Sequence, residues 1–356
     1  MPRGLIVVLG MAGLVVSVAG LRSVADIVGP VFLALMLVVA VHPISRWLRA
    51  RGWPAWVASL TVILAVYAIL LALFASVAFS LVRLTSILPQ YSDQFDKIVH
   101  NLEQTLSKHG VTSESFHNAI SHVDASKVVD AVGGVVGQLT SLTSTLVLVI
   151  VLVLFMAADS IGFTDRMTAL HDARPDIASA LNSFALGTRK YLVVTTVFGF
   201  IVAVLDAGFL WWVGIPLPIL WGVLSFITNY IPNIGFILGL VPPAMLALLG
   251  GGVSKMVLVI VVYSAINIVL QSIVQPKFVG DAVGLSATLT FLSLLVWAFI
   301  LGPLGAILAV PLTILSKALL VDIDPATRWA DVLLTGGSAA QDTEAAMEAA
   351  QPPDGR

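Results

Sequence analysis

The sequence predicts an all-α, polytopic membrane protein. Of its 356 residues, 58% are hydrophobic and only 11% are charged, whereas about 25% of the residues in a soluble domain carry charge. Mean hydropathy is +1.02, and a soluble fold could not cover that much apolar surface. Uncharged runs well above 18 residues are too long for the alternating strands of a membrane barrel, so the membrane segments are predicted to be helices.

The charge balance and the missing cysteines exclude several classes of function. The net charge is −2 and the pI is about 6.3, so the chain offers little to a nucleic-acid backbone. It contains no cysteine, which excludes disulfides, thiolate metal ligands and a cysteine nucleophile. It also lacks His-Glu-x-x-His, Gly-x-Ser-x-Gly and Walker A motifs, so it indicates neither an enzyme nor a bound metal or cofactor.

The N-terminal region, 1–82, contains three predicted transmembrane helices. The first, 5–21, is longer than the apolar core of a typical signal peptide and leads directly into more membrane segments, so we expect it to be retained. The second covers 26–45, and the third covers 52–82, which carries no charge. Tryptophans cluster at the start of the third helix, a position typical of indoles at the level of the lipid headgroups.

The composition changes sharply after the third helix. Residues 83–130 combine six acidic and four basic residues with apolar positions that recur every three or four, which predicts a helical extracytoplasmic subdomain. A fourth transmembrane helix is predicted at 131–158, and a cytoplasmic amphipathic connection at 159–190. A membrane core follows at 191–321 with only five charged residues, and then a cytoplasmic, largely disordered tail at 322–356.

Two uncharged stretches of the membrane core are too long for one comfortable crossing. They cover 216–250 and 286–316, and each is interrupted near its middle by proline and glycine. The pattern Gly-(Phe/Ala)-Ile-Leu-(Gly/Ala), with Val-Pro just after it, recurs about 70 residues apart. We therefore expect two helical hairpins, each entering and leaving the membrane on one side, as in inverted-repeat transporters. The predicted breaks are at Pro232, Gly235, Gly302, Pro303 and Gly305.

The distribution of positive charge predicts the orientation of the chain. With the N-terminus in the cytoplasm and both hairpins re-entrant, twelve of the 18 Lys and Arg residues lie on the cytoplasmic side, in agreement with the positive-inside rule. Both termini are then cytoplasmic. If each long segment instead crosses once with a kink, Lys277 moves outside and Lys255 moves inside, so the rule leaves both topologies open.

Asp206 lies near the centre of the fifth predicted transmembrane helix. An ionised aspartate at that depth costs about 2.5–3.5 kcal/mol, so its side chain should face protein or a wet cavity. Two interpretations remain open. Asp206 is either a site for a proton or cation that titrates during transport, or a protonated or hydrogen-bonded residue that joins this helix to a polar neighbour.

Three amides form a second candidate. Asn267, Gln271 and Gln275 recur every four residues along one helix face, with Tyr263 and Ser264 one turn earlier. Burying three amides against lipid is unfavourable, so this face should look at protein or water. It predicts either a polar pathway for a small hydroxylated or ionic solute, or hydrogen bonds that only join helices.

The break at Pro232 forms a third candidate. Thr228, Asn229 and Asn233 lie close to it in the chain. Proline removes a backbone donor and frees a carbonyl about one turn upstream, and irregular backbone at membrane depth is tolerated only inside protein or along a cavity. These residues are therefore predicted to face the same pathway.

A series of short motifs resembles the autoinducer-2 exporter family of bacterial membrane proteins. Each motif alone is weak, but their order and spacing across about 190 to 320 are specific. They are Lys190-Tyr191-Leu192, Gly214-Ile215-Pro216, Trp221-Gly222, Asn229-Tyr230-Ile231-Pro232-Asn233-Ile234-Gly235, Val241-Pro242-Pro243, Gln275-Pro276-Lys277, Gly280, Gly284-Leu285-Ser286, Leu301-Gly302-Pro303-Leu304-Gly305 and Ala309-Val310-Pro311-Leu312-Thr313.

The resemblance implies a multi-pass protein of the bacterial inner membrane with about eight membrane segments, assembled as a homo-oligomer. It implies export of a small polar signalling molecule of the autoinducer-2 type or, as in some relatives, exchange of sodium or lithium for protons. Asp206 belongs to no motif of the family, so its role rests on the bilayer argument. A non-transporting oligomeric membrane scaffold is the third hypothesis.

Overall fold

The computed structural model describes residues 2–91, 139–159, 162–232, 234–275 and 286–324, with the single positions 94, 97, 134, 137 and 327. All regular structure within these residues is helical. The α-helices are α1 Arg3–Ser23, α2 Ala25–Ala50, α3 Ala55–Ile87, α4 Leu139–Asp159, α5 Phe163–Ala173, α6 Pro175–Val213, α7 Pro218–Thr228, α8 Gly235–Asn267, α9 Ala287–Ile307 and α10 Ala309–Lys317. A 3-10 turn, Leu88–Tyr91, follows α3, and π-helical segments, Ile268–Val274 and Ala318–Asp322, extend α8 and α10.

Six helices in the described part of the chain are long and apolar enough to cross a membrane. About eight membrane segments are expected, and α1 and α7 contain shorter apolar stretches, Val8–Ser23 and Pro218–Thr228. Most of the predicted subdomain at 83–130 and of the tail at 322–356 falls outside the described residues. The six candidate spans are Ala25–Ala50, Ala55–Tyr91, Leu142–Asp159, Pro175–Val213, Gly235–Val274 and Thr288–Ile307.

The helix α6 is the element on which the two broken segments pack. Pro175 is preset for its first turn because the ring fixes φ and the missing N–H needs no partner there. Gly214 ends the helix at φ 75°, a left-handed conformation that glycine adopts without steric cost. Between these ends, one side of α6 is buried and the other exposes apolar residues such as Val204 and Phe200, which suits lipid contact.

The helices α7 and α8 lie side by side around a tight turn. A Cβ atom added to Gly235 would overlap the carbonyl oxygen of Thr228, and one added to Gly239 would lie 3.1 Å from the Thr228 hydroxyl. Only glycine allows this close approach of the two backbones. The predicted break at Pro232 and Gly235 therefore coincides with a reversal of the chain.

The helix α8 reverses again at Gly252, where φ is 74° and ψ is −174°. A straight helix from Gly235 to Gln271 would be about 54 Å long. Instead, the side-chain amide of Gln271 donates a 2.7 Å hydrogen bond to Asn229, which precedes α8. The second half of α8 therefore runs back beside the first half and returns to the turn.

The helix α9 folds back at Gly302, where φ is 67° and ψ is −147°. The Ser293 hydroxyl donates a 3.0 Å hydrogen bond to the carbonyl of Ala309, whereas sixteen residues of straight helix would span about 24 Å. A Cβ atom on Gly305 would overlap the carbonyl oxygen of Trp297, just as a Cβ atom on Gly235 would overlap that of Thr228 at the other break. That each hairpin enters and leaves the membrane on one side stays a prediction.

Two apolar clusters join the hairpins to the rest of the molecule. One includes Phe32 of α2, Phe184 of α6 and Leu312 of α10. The other joins Leu210 of α6 and Tyr263 of α8 with residues of α3 and α7. The two broken segments thus pack on different parts of α6.

Candidate functional site

A small polar cavity lies between α6, α7 and both halves of α8. Its volume is about 10 Å³, close to the room that one water molecule needs. The composition of its wall is unusual for a membrane interior, where polar groups are costly unless they meet partners. The lining residues are Val202, Asp206, Ser225, Thr228, Asn229, Phe236, Gly239, Tyr263, Asn267 and Gln271.

Asp206 is the charged member of this wall. Its relative exposure is 0%. The Ser225 hydroxyl interacts with the carboxylate, but neither carboxylate oxygen has a partner at full hydrogen-bond geometry among the described residues. The helix α6 places it there because Val202, Asp206 and Leu210 recur every four residues on the buried face. The Tyr263 hydroxyl, in the same wall, is also buried without a described partner. The cavity therefore contains acceptor and donor groups that the described protein leaves unsatisfied.

An amide network closes one end of the cavity. The Gln271 amide nitrogen donates to the side-chain oxygens of Asn229 and Asn267, each at 2.7 Å. The Asn229 amide donates to the carbonyl of Thr195 at 3.1 Å, and the Asn267 amide donates to the carbonyl of Tyr263 at 3.0 Å. The network thus joins α6, the turn after α7 and the end of α8.

Two tyrosines fix the turn after α7 to α6. The Tyr191 hydroxyl donates to the carbonyl of Tyr230 at 3.1 Å, and the hydroxyls of Tyr230 and Thr196 are 2.6 Å apart. Gly199 of α6 leaves room for the Asn229 side chain, since a Cβ atom on Gly199 would lie 2.7 Å from the Asn229 amide nitrogen. Contacts with α6 therefore hold the turn that carries Asn229: hydrogen bonds to the turn from Tyr191 and Thr196, and the space left by Gly199.

The structure brings together most of the residues that the sequence suggests for a polar path. Asn233 lies outside the described residues, and Gln275 is half-buried just beyond the π-helical segment, away from the described wall of the cavity. Gly302, Pro303 and Gly305 belong to the other hairpin. The predicted residues that line the cavity are Asp206, Thr228, Asn229, Asn267 and Gln271.

Two lining residues with polar side chains, Ser225 and Tyr263, were not among the predicted site residues. Ser225 lies one helical turn before Thr228, so the same face of α7 presents both hydroxyls. Tyr263 lies four residues before Asn267 and continues the predicted polar face. The spacing was thus visible in the sequence, but short hydroxyl side chains in an apolar helix do not distinguish a cavity from ordinary helix packing.

The comparison with known families decides the class of this protein. The model described as "AI-2E family transporter" matches residues 5–323. The chain belongs to the AI-2E transporter family. The cavity therefore lies in a membrane transporter.

Three proteins that are similar to this chain carry different functional names. The "Putative transport protein YhhT" of Escherichia coli (strain K12) is 30% identical over 320 residues, covering 88% of this chain and 90% of that protein. The "AI-2 transport protein TqsA" of the same strain is 30% identical over 316 residues, covering 88% and 91%. A "Sodium-lithium/proton antiporter" of Halobacillus andaensis is 23% identical over 334 residues, covering 87% and 93%.

Proposed function

We propose that this transporter exports a small polar signalling molecule of the autoinducer-2 type. The observation that carries the proposal is the polar wall between α6, α7 and α8. It combines hydroxyl, amide and carboxylate groups that can donate to and accept from a hydroxylated solute. The similarity to the AI-2 transport protein TqsA favours the same class of solute.

Export through this site requires the cavity to open. A volume of about 10 Å³ accommodates one water molecule, so the arrangement described here is a closed one. The hairpin of α7 and the first half of α8 is the part that we expect to move. Glycine turns at Gly235 and Gly252 lie at the two ends of the first half of α8. Opening would break the hydrogen bond between Gln271 and Asn229, and the solute's own hydroxyls would replace it.

Sodium or lithium exchange for protons is the second candidate, and Asp206 favours it. Hard cations bind oxygen ligands, and the Asp206 carboxylate has neighbouring oxygens on Ser225, Thr228 and Tyr263 in the same wall. Either a cation or a proton would remove the cost of an unpaired buried charge. Alternate occupation by the two would couple their movements.

Transport assays in proteoliposomes distinguish these functions. The purified chain is reconstituted, and the movements of autoinducer-2, sodium, lithium and protons are measured separately. The proposal expects autoinducer-2 flux that saturates with concentration and exceeds the flux in empty liposomes. Cation-driven proton movement without autoinducer-2 flux would instead establish the antiporter. Absence of all four fluxes from folded protein would favour the scaffold.

We also propose the bacterial inner membrane as the location, with both termini in the cytoplasm and a homo-oligomeric assembly. The excess of positive charge on the predicted cytoplasmic side supports this orientation. Size-exclusion chromatography with light scattering in mild detergent measures the subunit number. A monodisperse monomer across protein concentrations would contradict the oligomer.

A further inference from the structure

A cluster of positive side chains surrounds His42, far along the chain from the polar cavity. Arg46 and Arg49 follow it on α2, and Arg189 approaches from α6. The charges of all three arginines act on His42, and Arg46 also acts on Arg189. Residues about 150 positions apart in the sequence therefore converge on one location.

The cluster has no negative partner within the described chain. The Arg49 guanidinium donates to the Ser59 hydroxyl at 3.1 Å, and Arg189 donates to the carbonyl of Val39 at 3.4 Å, but neither forms an ion pair with a described carboxylate. The Arg49 Nε and the His42 Nδ1 are buried without a hydrogen-bond partner. A buried guanidinium N–H that finds no acceptor among the described residues points to an anion.

A cavity of about 30 Å³ lies directly beside the cluster, between α2, α3 and α4. His42, Ser45 and Ser59 give it a polar end, and side chains such as Val62, Val66 and Val153 form an apolar wall. The arginine charges beside its polar end and the apolar side chains along its wall correspond to the headgroup and the hydrocarbon of a phospholipid. Trp47, Trp53 and Trp56 are exposed close by in the chain, as residues at the headgroup level are.

We propose that this cluster, Arg46, Arg49, Arg189 and His42, binds the phosphate of an anionic phospholipid. Arg49 and Arg189 would contact the phosphate oxygens, because the planar guanidinium presents donors that match them. A cavity of about 30 Å³ holds only two or three water molecules, so it would have to widen for the first part of an acyl chain to contact its apolar wall. The leaflet is the one that the positive-inside rule predicts to be cytoplasmic.

The positive-inside rule alone does not account for this arrangement. It requires only a net excess of arginines and lysines near the membrane ends, and an arginine that serves this purpose extends into the water of the interface. Arg49 instead directs its guanidinium inward to Ser59. The positive charges of Arg46, Arg49 and Arg189 all lie near His42, and an anion that binds among them reduces their mutual repulsion.

Lipid binding to the full-length protein tests the proposal independently of any transport activity. Binding of dioleoylphosphatidylglycerol is titrated in detergent by native mass spectrometry, with dioleoylphosphatidylcholine and inorganic phosphate as separate probes. We expect phosphatidylglycerol to bind more tightly than the neutral lipid. Arg49→Gln and Arg189→Gln should each weaken its binding about fivefold, as expected for the loss of one positive charge near an anionic headgroup.

Matched variants keep this test decisive. Arg166→Gln removes an exposed arginine that pairs with Asp159 at 2.7 Å and should leave lipid affinity unchanged, whereas Arg49→Lys should recover part of it. Arg46→Gln, at an exposed position, supplies a variant whose folding is not at risk. Equal lipid affinity in wild type and all cluster variants would overturn the proposal. Tight binding of free phosphate that the same variants abolish, without preference for phosphatidylglycerol, would assign the anion to solution and overturn the lipid.

Discussion

Asp206 combines three properties that rarely occur together at one residue. It is charged in its ordinary ionised form, it is fully buried in a helix long enough to span a membrane, and its oxygens have no partner at full hydrogen-bond geometry in the described chain. A purely structural aspartate gains its stability from hydrogen bonds. Ser225 is the side chain that interacts with this carboxylate, and no cation pairs with it among the described residues. This incomplete satisfaction fits the first of the two interpretations, a site that binds and releases a proton or cation.

Replacement of Asp206 by asparagine tests this role. Asp206→Asn keeps the shape but removes the ability to exchange a proton, so proton-coupled flux should fall at least tenfold in proteoliposomes. Folding should be preserved because the substitution removes a buried charge. Val204→Asn, on the exposed face of the same helix, is the control for adding an amide to α6. Unchanged proton coupling in Asp206→Asn would contradict the assignment.

Gln271 carries the central hydrogen bonds of the amide network. Gln271→Leu leaves the oxygens of Asn229 and Asn267 without the donor that they share, and we expect a cost of about 1–2 kcal/mol together with a large loss of solute flux. Thermal unfolding in detergent and flux in proteoliposomes measure the two effects.

Gln275→Leu is the matched control for Gln271, because the same chemical change falls one turn further along and outside the described cavity wall. We expect a smaller loss of flux and a smaller change in stability. Equal, measurable flux in wild type and both leucine variants would contradict a polar path through Gln271.

The glycine turns are the features of the helical elements that determine the site's geometry. Gly235 lies against the carbonyl oxygen of Thr228 in α7, and Gly305 lies against that of Trp297 in the first half of α9. Gly235→Ala and Gly305→Ala should each destabilise the protein by about 1–3 kcal/mol, because the added methyl group forces the paired helices apart. Gly208→Ala is the control, since a Cβ there meets nothing within 4 Å. Thermal unfolding that ranks all three variants equally would contradict this packing.

The membrane topology of the broken helices can be measured directly, since the chain has no cysteine. Val253→Cys introduces a single thiol next to Gly252, at a residue that is 63% exposed. If α7 and the first half of α8 form a re-entrant hairpin, a membrane-impermeant maleimide should label this thiol from outside intact cells. Labelling only after cell disruption would instead support the kinked crossing. Ser338→Cys, in the predicted cytoplasmic tail, provides the opposite reference.

The sequence predicts the helical class and the places where the helices break, since both depend on local properties. Length and apolarity identify the spans, and Pro232, Gly235 and Gly302 mark breaks through their own backbone preferences. The four-residue spacing also predicts the shared face of Asn267 and Gln271. These features need no information about distant parts of the chain.

The rest of the site depends on contacts between distant segments. The pairing of Asn229 with Gln271 spans 42 residues and requires the reversal at Gly252, the last of three consecutive glycines just after the uncharged stretch 216–250. The convergence of Arg189 with the α2 arginines likewise depends on the packing of α6 against α2. The sequence predicts that Asn229 and Gln271 face one pathway, but residue spacing does not say which side chains form a direct hydrogen bond. It also gives no sign that Arg189 approaches α2.

At the scale of the whole molecule, most of the surface of the long helices suits lipid. Large apolar residues are exposed along α1, α3, α4 and α6, while polar groups are collected at the cavity and at the helix ends. Trp211 and Trp212 are 75% and 80% exposed at the end of α6, and Trp53 and Trp56 lie near the start of α3. These aromatic groups indicate the two headgroup levels between which the chain is embedded.

The small volume of the polar cavity has an electrical consequence. A space of about 10 Å³ holds about one water molecule, and a hydrated ion is larger than that. In this arrangement no hydrated ion fits the cavity, so we expect it to pass no ionic current. Planar-bilayer recordings should therefore show no unitary current steps, even while labelled solute crosses proteoliposomes that contain the same preparation.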